Sequence, residues 1–246
     1  MKRILLLLVV VFLMGMGYAA YEQRNVEKQY TESQDDAAAA MKVAKAKNEV
    51  KITGVPKIMQ KPELDRGCEV TSLAMLLQHA GVEVDKMELA EKVKKDTTPY
   101  KNESGTYHYG NPNDGFVGDI YTFDNMGYGV YHEPVADLAE DYLPGKIRDL
   151  SGGSFEEAVL KPLSGGRPVW IIINAKYQKL PESEFRTWNT PSGQVQITWS
   201  EHSVVVTGYD EDYVYFNDPL GVAEKAERGG FEEAWMQMGS QAITYK

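Results

Sequence analysis

The stretch Gln60-Lys61-Pro62-Glu63-Leu64-Asp65-Arg66-Gly67-Cys68-Glu69-Val70-Thr71-Ser72-Leu73-Ala74-Met75-Leu76-Leu77 decides how this chain is read. Pro62 and Gly67 place a turn ahead of Cys68. Apolar residues then recur at Val70, Leu73, Ala74, Leu76, Leu77 and Ala80, a three-and-four spacing that predicts a helix with one buried face, capped by Gly81. Cys68 falls on the first turn, where unpaired N–H groups and the helix dipole favour a thiolate. By itself, a cysteine at a helix start is as readily a small packing residue as a nucleophile. It is the chain's one cysteine, so no intramolecular disulfide forms and stability must come from packing.

The second informative stretch is His202-Ser203-Val204-Val205-Val206-Thr207-Gly208-Tyr209-Asp210-Glu211-Asp212-Tyr213-Val214-Tyr215-Phe216-Asn217-Asp218-Pro219. Its β-branched and aromatic runs flank an acidic turn, the pattern of a hairpin. Reversal at Asp210 is expected to set Val206 against Val214, Val204 against Phe216 and His202 against Asp218. Period-two alternation puts His202 and Asp218 on one face and Asn217 on the other. His79, His108 and His132 have no such carboxylate in register and read as structural.

A thiol, an imidazole and a carboxylate compose a nucleophile, a general base and the group that fixes the base's tautomer. Cys68 precedes His202 by roughly 130 residues, the separation seen between a papain-type cysteine and its histidine. No Gly-x-Ser-x-Gly elbow occurs, so a serine hydrolase of that type is excluded. The order Gln60, Gly67-Cys68-x-x-Thr71-Ser72, Gly110-Asn111-Pro112-x-x-Gly115-Phe116-Val117-Gly118, His202-x-Val204-Val205-Val206-x-Gly208-Tyr209 and Asn217-Asp218-Pro219 resembles the papain-like superfamily branch of bacteriocin-processing, double-glycine-leader peptidases and their exported relatives. The resemblance runs from about residue 55 to 221. It implies an α+β, papain-like fold with the nucleophile helix packed on an antiparallel β-sheet that carries His202 and Asp218. It also implies that Cys68, His202 and Asp218 are catalytic and that Gln60 donates to the oxyanion. Gln60 lies eight positions before Cys68, and the Pro62 turn can fold its amide back toward the thiol, with the Cys68 N–H as second donor. The exporter peptidases are cytosolic domains fused to a transporter, and this chain has none, so a double-glycine leader is an unsuitable substrate.

The start, Met1-Lys2-Arg3 followed by an apolar run to Ala20, reads as a signal peptide or membrane anchor over 1–20, with Ala19 a cleavage position. Residues 21–50 read as a polar linker, and 51–246 as one peptidase domain with room for a substantial core. The expected location is outside the cytoplasm, secreted or tethered to the outer face of the cytoplasmic membrane, as a monomer acting on a peptide or protein substrate. A net charge of −10 argues against nucleic acid or an anionic membrane surface as partner. No cofactor is expected: Asn111, Asn113, Asp114 and Asp119 lack calcium-loop spacing, and the Gly152-Gly153 and Gly165-Gly166 pairs lack phosphate-loop residues and read as turns.

The continuous apolar run Pro168 to Ile173 predicts a central strand covered on both faces, joined by residues 194–199 and by the hairpin. Residues 96–119 read as a long aromatic loop, either lining a cleft or packed on the sheet. Trp170 and Trp199 are core or cleft residues that sequence does not separate. A papain-like acyltransferase using the same triad, or a non-catalytic cell-surface module, remains alternative to hydrolysis at this stage.

Overall fold

The computed structural model describes residues 49–246, together with residues 23, 24, 27, 28 and 34. The proposed signal and nearly all of the linker therefore lie outside the described residues. A compact unit begins at Glu49. In chain order its elements are β1 (Val50–Lys51), α1 (Cys68–His79), α2 (Lys86–Lys92), β2 (Lys95–Asp96), β3 (Lys101–Glu103), β4 (Thr106–His108), β5 (Phe116–Val117), α3 (His132–Tyr142) and β6 (Ile147–Asp149). A π-helical turn, Glu156–Leu160, then runs into α4 (Lys161–Ser164), followed by β7 (Val169–Asn174), β8 (Phe185–Thr190), β9 (Gly193–Thr198), β10 (Glu201–Tyr209), β11 (Tyr213–Asn217), β12 (Lys225–Glu227), α5 (Arg228–Gln237) and β13 (Ala242–Tyr245).

The main sheet runs β12-β11-β10-β7-β13-β6, with β1 also on β10, and every ladder in it is antiparallel. This is the expected α+β arrangement. β7 is buried along its whole length. Its alternate side chains divide the core: Trp170 and Ile172 join Leu73, Leu76 and Leu77 of α1 on one face, while Val169, Ile171 and Ile173 join Phe216, Phe231 and Trp235 on the other. Each fully buried aliphatic side chain here contributes roughly 1.5–3 kcal/mol.

Helix α1 starts at Cys68 and ends one residue before its C-cap, Ala80, with Gly81 following at φ +87°. It does not bury a single face: every residue from Cys68 to Leu77 is buried, because the sheet covers one side and α2 and α3 cover the others. Polar side chains on it must therefore find partners indoors. Ser72 Oγ donates to the Ser203 carbonyl at 3.1 Å, and the Trp170 indole donates to the Glu69 carbonyl at 2.9 Å. These two bonds fix the helix start against β10 and β7.

Two expectations are corrected. Residues 194–199 do not join β7; as β9 they belong to a separate four-stranded sheet, β3-β4-β8-β9, because β9 pairs with its sequence neighbour β8 through a tight turn at Gly193. Residues 96–119 are not one loop but hold three short strands and the end of β2, and their aromatic side chains Tyr109 and Phe116 are buried in the core.

The hairpin register also differs. Val206 lies opposite Phe216, Val205 opposite Asn217 and Tyr209 opposite Val214, with an irregularity between Val206 and Gly208. Asp210 is the cause at the turn end, since its side chain accepts from the N–H groups of Asp212 and Tyr213 and widens the reversal. The displacement around His202 is two residues, not one. Two residues restore the pleat, so the face assignment survives.

Beyond Val206, β1 replaces β7 as the partner of β10. A Cβ at Gly208 would collide with the Val50 carbonyl oxygen. Gly208→Ala is accordingly expected to push β1 off the sheet and destabilise the domain by about 1–3 kcal/mol, seen in urea unfolding together with faster proteolysis near residue 50.

Candidate active site

Three segments meet at the top of α1: the lead-in ending at Gln60, the start of β10 and the loop after β11. His202 and Asp218 are 2 % and 0 % exposed, and His202 Nε2 lies 2.8 Å from Asp218 Oδ1. Asp218 sits just past β11, diagonal to His202 rather than directly opposite. Its Oδ1 also accepts from Leu220 N at 2.8 Å. Its Oδ2 accepts from the Tyr177 hydroxyl at 3.0 Å and from the N–H groups of Val222 and Ala223. Burial by itself would raise the Asp218 pKa, but His202 and the N–H groups of Leu220 and Val222 hold it well below the usual carboxylate range. The carboxylate stays charged. Asn217 points away and donates to the Val55 and Pro56 carbonyls at 3.2 and 3.0 Å.

Cys68 and His202 line one cleft of about 440 Å³, with Gln60, Glu201, Tyr128 and Trp199 among its other walls. The residues expected to act together are thus brought together. With Nε2 on Asp218, Nδ1 is the imidazole nitrogen free to serve the thiol. Gln60 is 2 % exposed, and its backbone N–H donates to the Pro219 carbonyl at 2.9 Å, tying it to the Asp218 loop. Its side-chain amide donates to the Leu64 and Asp65 carbonyls at 3.2 and 3.0 Å.

The surroundings of Cys68 oppose the expected thiolate. Burial pushes the Cys68 thiol well above its ordinary range, Glu69 and Glu201 push it further, and the Ser203 N–H opposes them. The thiol donates to Glu69 Oε2 at 3.3 Å. A helix start alone does not outweigh two carboxyls and the loss of solvent.

Glu69, Glu201 and Tyr177 went unrecognised in the sequence. Glu69 is fully buried, and its Oε1 accepts from Val130 N at 2.8 Å. Burial raises its pKa to about 7, against the Glu69 and Val130 N–H groups. Burial and then Glu69 raise Glu201 well above the ordinary value. The donor atoms of Cys68, Glu69 and Glu201 all lie within 4.8 Å of one another. An acidic residue inside the otherwise buried face of a predicted helix was the available signal for Glu69; Tyr177 lies in a loop with no motif. His132 and His79 are structural, bonded to Asp149 and Tyr245 at 2.6 Å each. Trp170 is core at 0 % exposure, whereas Trp199 is 49 % exposed and stands at the cleft.

The model of the Peptidase_C39 like family matches residues 52–243. The chain is 45 % identical over 226 residues to the uncharacterized protein YvpB of Bacillus subtilis (strain 168), covering 89 % of this chain and 85 % of that one. It is also 54 % identical to a crystal structure from Bacillus anthracis assigned to the C39-like peptidases, with a TM-score of 0.75 over 80 % of this chain and 97 % of that chain.

The carboxyl pair makes stability fall as pH rises. An ordinary glutamate ionises near 4.5, whereas folded Glu69 keeps its proton to about 7; between these values the folded state holds more protons, so unfolding becomes easier with increasing pH. Asp218 acts in the opposite sense but only at more acidic pH. Glu69→Gln is expected to flatten the loss of stability between pH 5 and pH 8 by about 1–3 kcal/mol, measured by urea unfolding at both values; an unchanged slope would show that Glu69 is ionised throughout.

Proposed function

Because the chain belongs to the C39-like peptidase family, we propose that it hydrolyses peptide bonds with Cys68 as nucleophile, His202 as general base and Asp218 as the residue that orients the imidazole. The observation that carries this reading is the buried 2.8 Å His202–Asp218 contact in the same cleft as Cys68. His202 Nδ1 takes the Sγ proton as Sγ attacks the scissile carbonyl carbon. The carbonyl π pair moves to oxygen. Collapse of the tetrahedral adduct breaks the C–N bond, His202 returns the proton to the leaving amine, and a thioester remains. Water, deprotonated by the same imidazole, then releases the acid and restores the thiol.

Gln60 supplies an oxyanion donor by releasing one of its two carbonyl partners, alongside the Cys68 N–H. The basic and apolar N-terminus supports action outside the cytoplasm, on a peptide or protein, by a secreted or membrane-tethered monomer.

Digestion of a peptide library, read by mass spectrometry, tests the activity. Cleavage is expected from the wild-type protein and none from Cys68→Ala; cleavage that survives this change would remove the nucleophile assignment. On a cleaved peptide, Asp218→Ala is expected to lower kcat by about a hundredfold or more, and Asn217→Ala by far less after correction for folding by thermal melts. Equal losses would separate Asp218 from the chemistry.

Gln60→Ala is expected to lower kcat about a hundredfold with KM nearly unchanged. Iodoacetamide alkylation of Cys68, which builds no oxyanion, should be untouched. A near-wild-type kcat would take Gln60 out of the site.

A further inference from the structure

Two carboxyls stand at the floor of the cleft and have no part in the proposed triad. Glu201 begins β10 beside His202, and Glu69 follows Cys68 on α1; both approach Gly129. A Cβ at position 129 would strike Glu69 Oε1 and come within 3.0 Å of Glu201 Oε2, so only glycine lets the two acids share that space. Glu69 is held in place by the Val130 N–H and the Cys68 thiol. Glu201 is not held: its Oε1 is shielded from solvent and has no hydrogen-bond partner among the described residues.

The nearby cations are committed elsewhere. Lys95, whose charge acts on Glu69, donates to the Ala90 carbonyl at 2.6 Å. Lys61 and Arg66 stand over the Phe123 ring at 4.9 and 4.6 Å; Lys61 pairs with Asp65, and Arg66 donates to the Asp119 and Thr122 carbonyls. Tyr128 and Tyr131, the other titratable groups facing the pair, bond to each other at 2.9 Å. Carboxyl oxygens shielded from solvent and bonded to no cation are costly. A substrate that brings the charge relieves that cost, and Glu201 lines the cleft in which such a substrate would lie.

We infer that the Glu69–Glu201 pair is a specificity subsite for an ammonium group carried next to the scissile carbonyl, with Glu201 as its primary acceptor. This rests on the peptidase reading and adds the substrate class to it. The ammonium can come from a lysine side chain or from a free α-amino group, because both are within reach of carboxyls lying within 4.8 Å of Sγ. Filling the subsite also offsets the negative charge that opposes the Cys68 thiolate, so the cognate substrate assists the attack that consumes it.

Three chloromethyl ketones test this in the presence of EDTA: N-capped lysyl, N-capped norleucyl and norleucyl with a free amine. Each forms a thioether as Sγ displaces chloride from the methylene carbon, while the thiol proton passes to His202. Labelling is followed by intact mass. A charged probe is expected to label Cys68 faster than capped norleucyl by about tenfold or more, as a charge-assisted hydrogen bond gives, and Glu201→Gln should bring the ratio close to one. The faster of the two charged probes identifies the ammonium's source.

Equal rates for all three on the wild-type protein would overturn the subsite and leave the peptidase reading intact, an outcome that requires no variant to fold. A ratio that persists in Glu201→Gln would overturn it as well. If no probe labels Cys68 while iodoacetamide does, the peptidase reading falls and the subsite with it.

Discussion

The contact between the His202 imidazole and the Asp218 carboxylate is the constraint around which the site is assembled. A carboxylate with no exposed surface keeps its charge only if it is surrounded by donors. The turn after β11 folds the N–H groups of Leu220, Val222 and Ala223 onto it, and Tyr177 adds a hydroxyl. That turn in turn holds Gln60, whose N–H reaches the Pro219 carbonyl, while the neighbouring Asn217 grips the backbone at Val55 and Pro56. One satisfied buried acid thereby positions both the imidazole and the segment that leads into the nucleophile helix.

The other side of the cleft follows the opposite electrostatic logic. Glu69 is buried and Glu201 half-buried beside it, without a bonded cation among the described residues, so burial and their mutual repulsion favour the protonated carboxyls, and whatever negative charge the pair carries opposes the Cys68 thiolate. Two acids within one site are driven apart by their environments: Asp218 remains ionised because donors surround it, and Glu69 becomes neutral near pH 7 because burial outweighs its two N–H partners. In the proposed reaction, proton removal from Sγ then accompanies attack instead of preceding it. The exposed apolar rim of Phe123, Met126 and Trp199 frames this acidic floor.

Much of the local architecture was legible in the chain. The three-and-four spacing after Gly67 placed α1 to within a residue, because a helix that packs on a sheet must present its apolar side chains at that period. The unbroken apolar run to Ile173 gave β7, since only a strand covered on both faces carries no polar alternation. The hairpin's pairing was misplaced by three residues at the Asp210 turn and, after the irregularity between Val206 and Gly208, by two around His202, yet His202 and Asp218 still met, since a two-residue displacement leaves each side chain on its original face. The Gly, Asn and Pro density of 96–119 read as one loop although short strands lie within it, whereas of the two roles open to its aromatic residues the packed one holds for Tyr109 and Phe116.

By itself, then, the sequence determined the nucleophile helix α1, the central strand β7 and the two hairpin strands, the order of the thiol, imidazole and acid, and the common face of His202 and Asp218, all of which depend on periodicity along the chain. Tertiary structure alone decided which charges face Cys68, the exposure of Trp199 against the burial of Trp170, and the meeting of Glu69 with Glu201 across Gly129. Those properties depend on solvent removed and charges brought near by residues far apart in the chain, and no local pattern encodes a distance between segments that share no hydrogen-bond ladder.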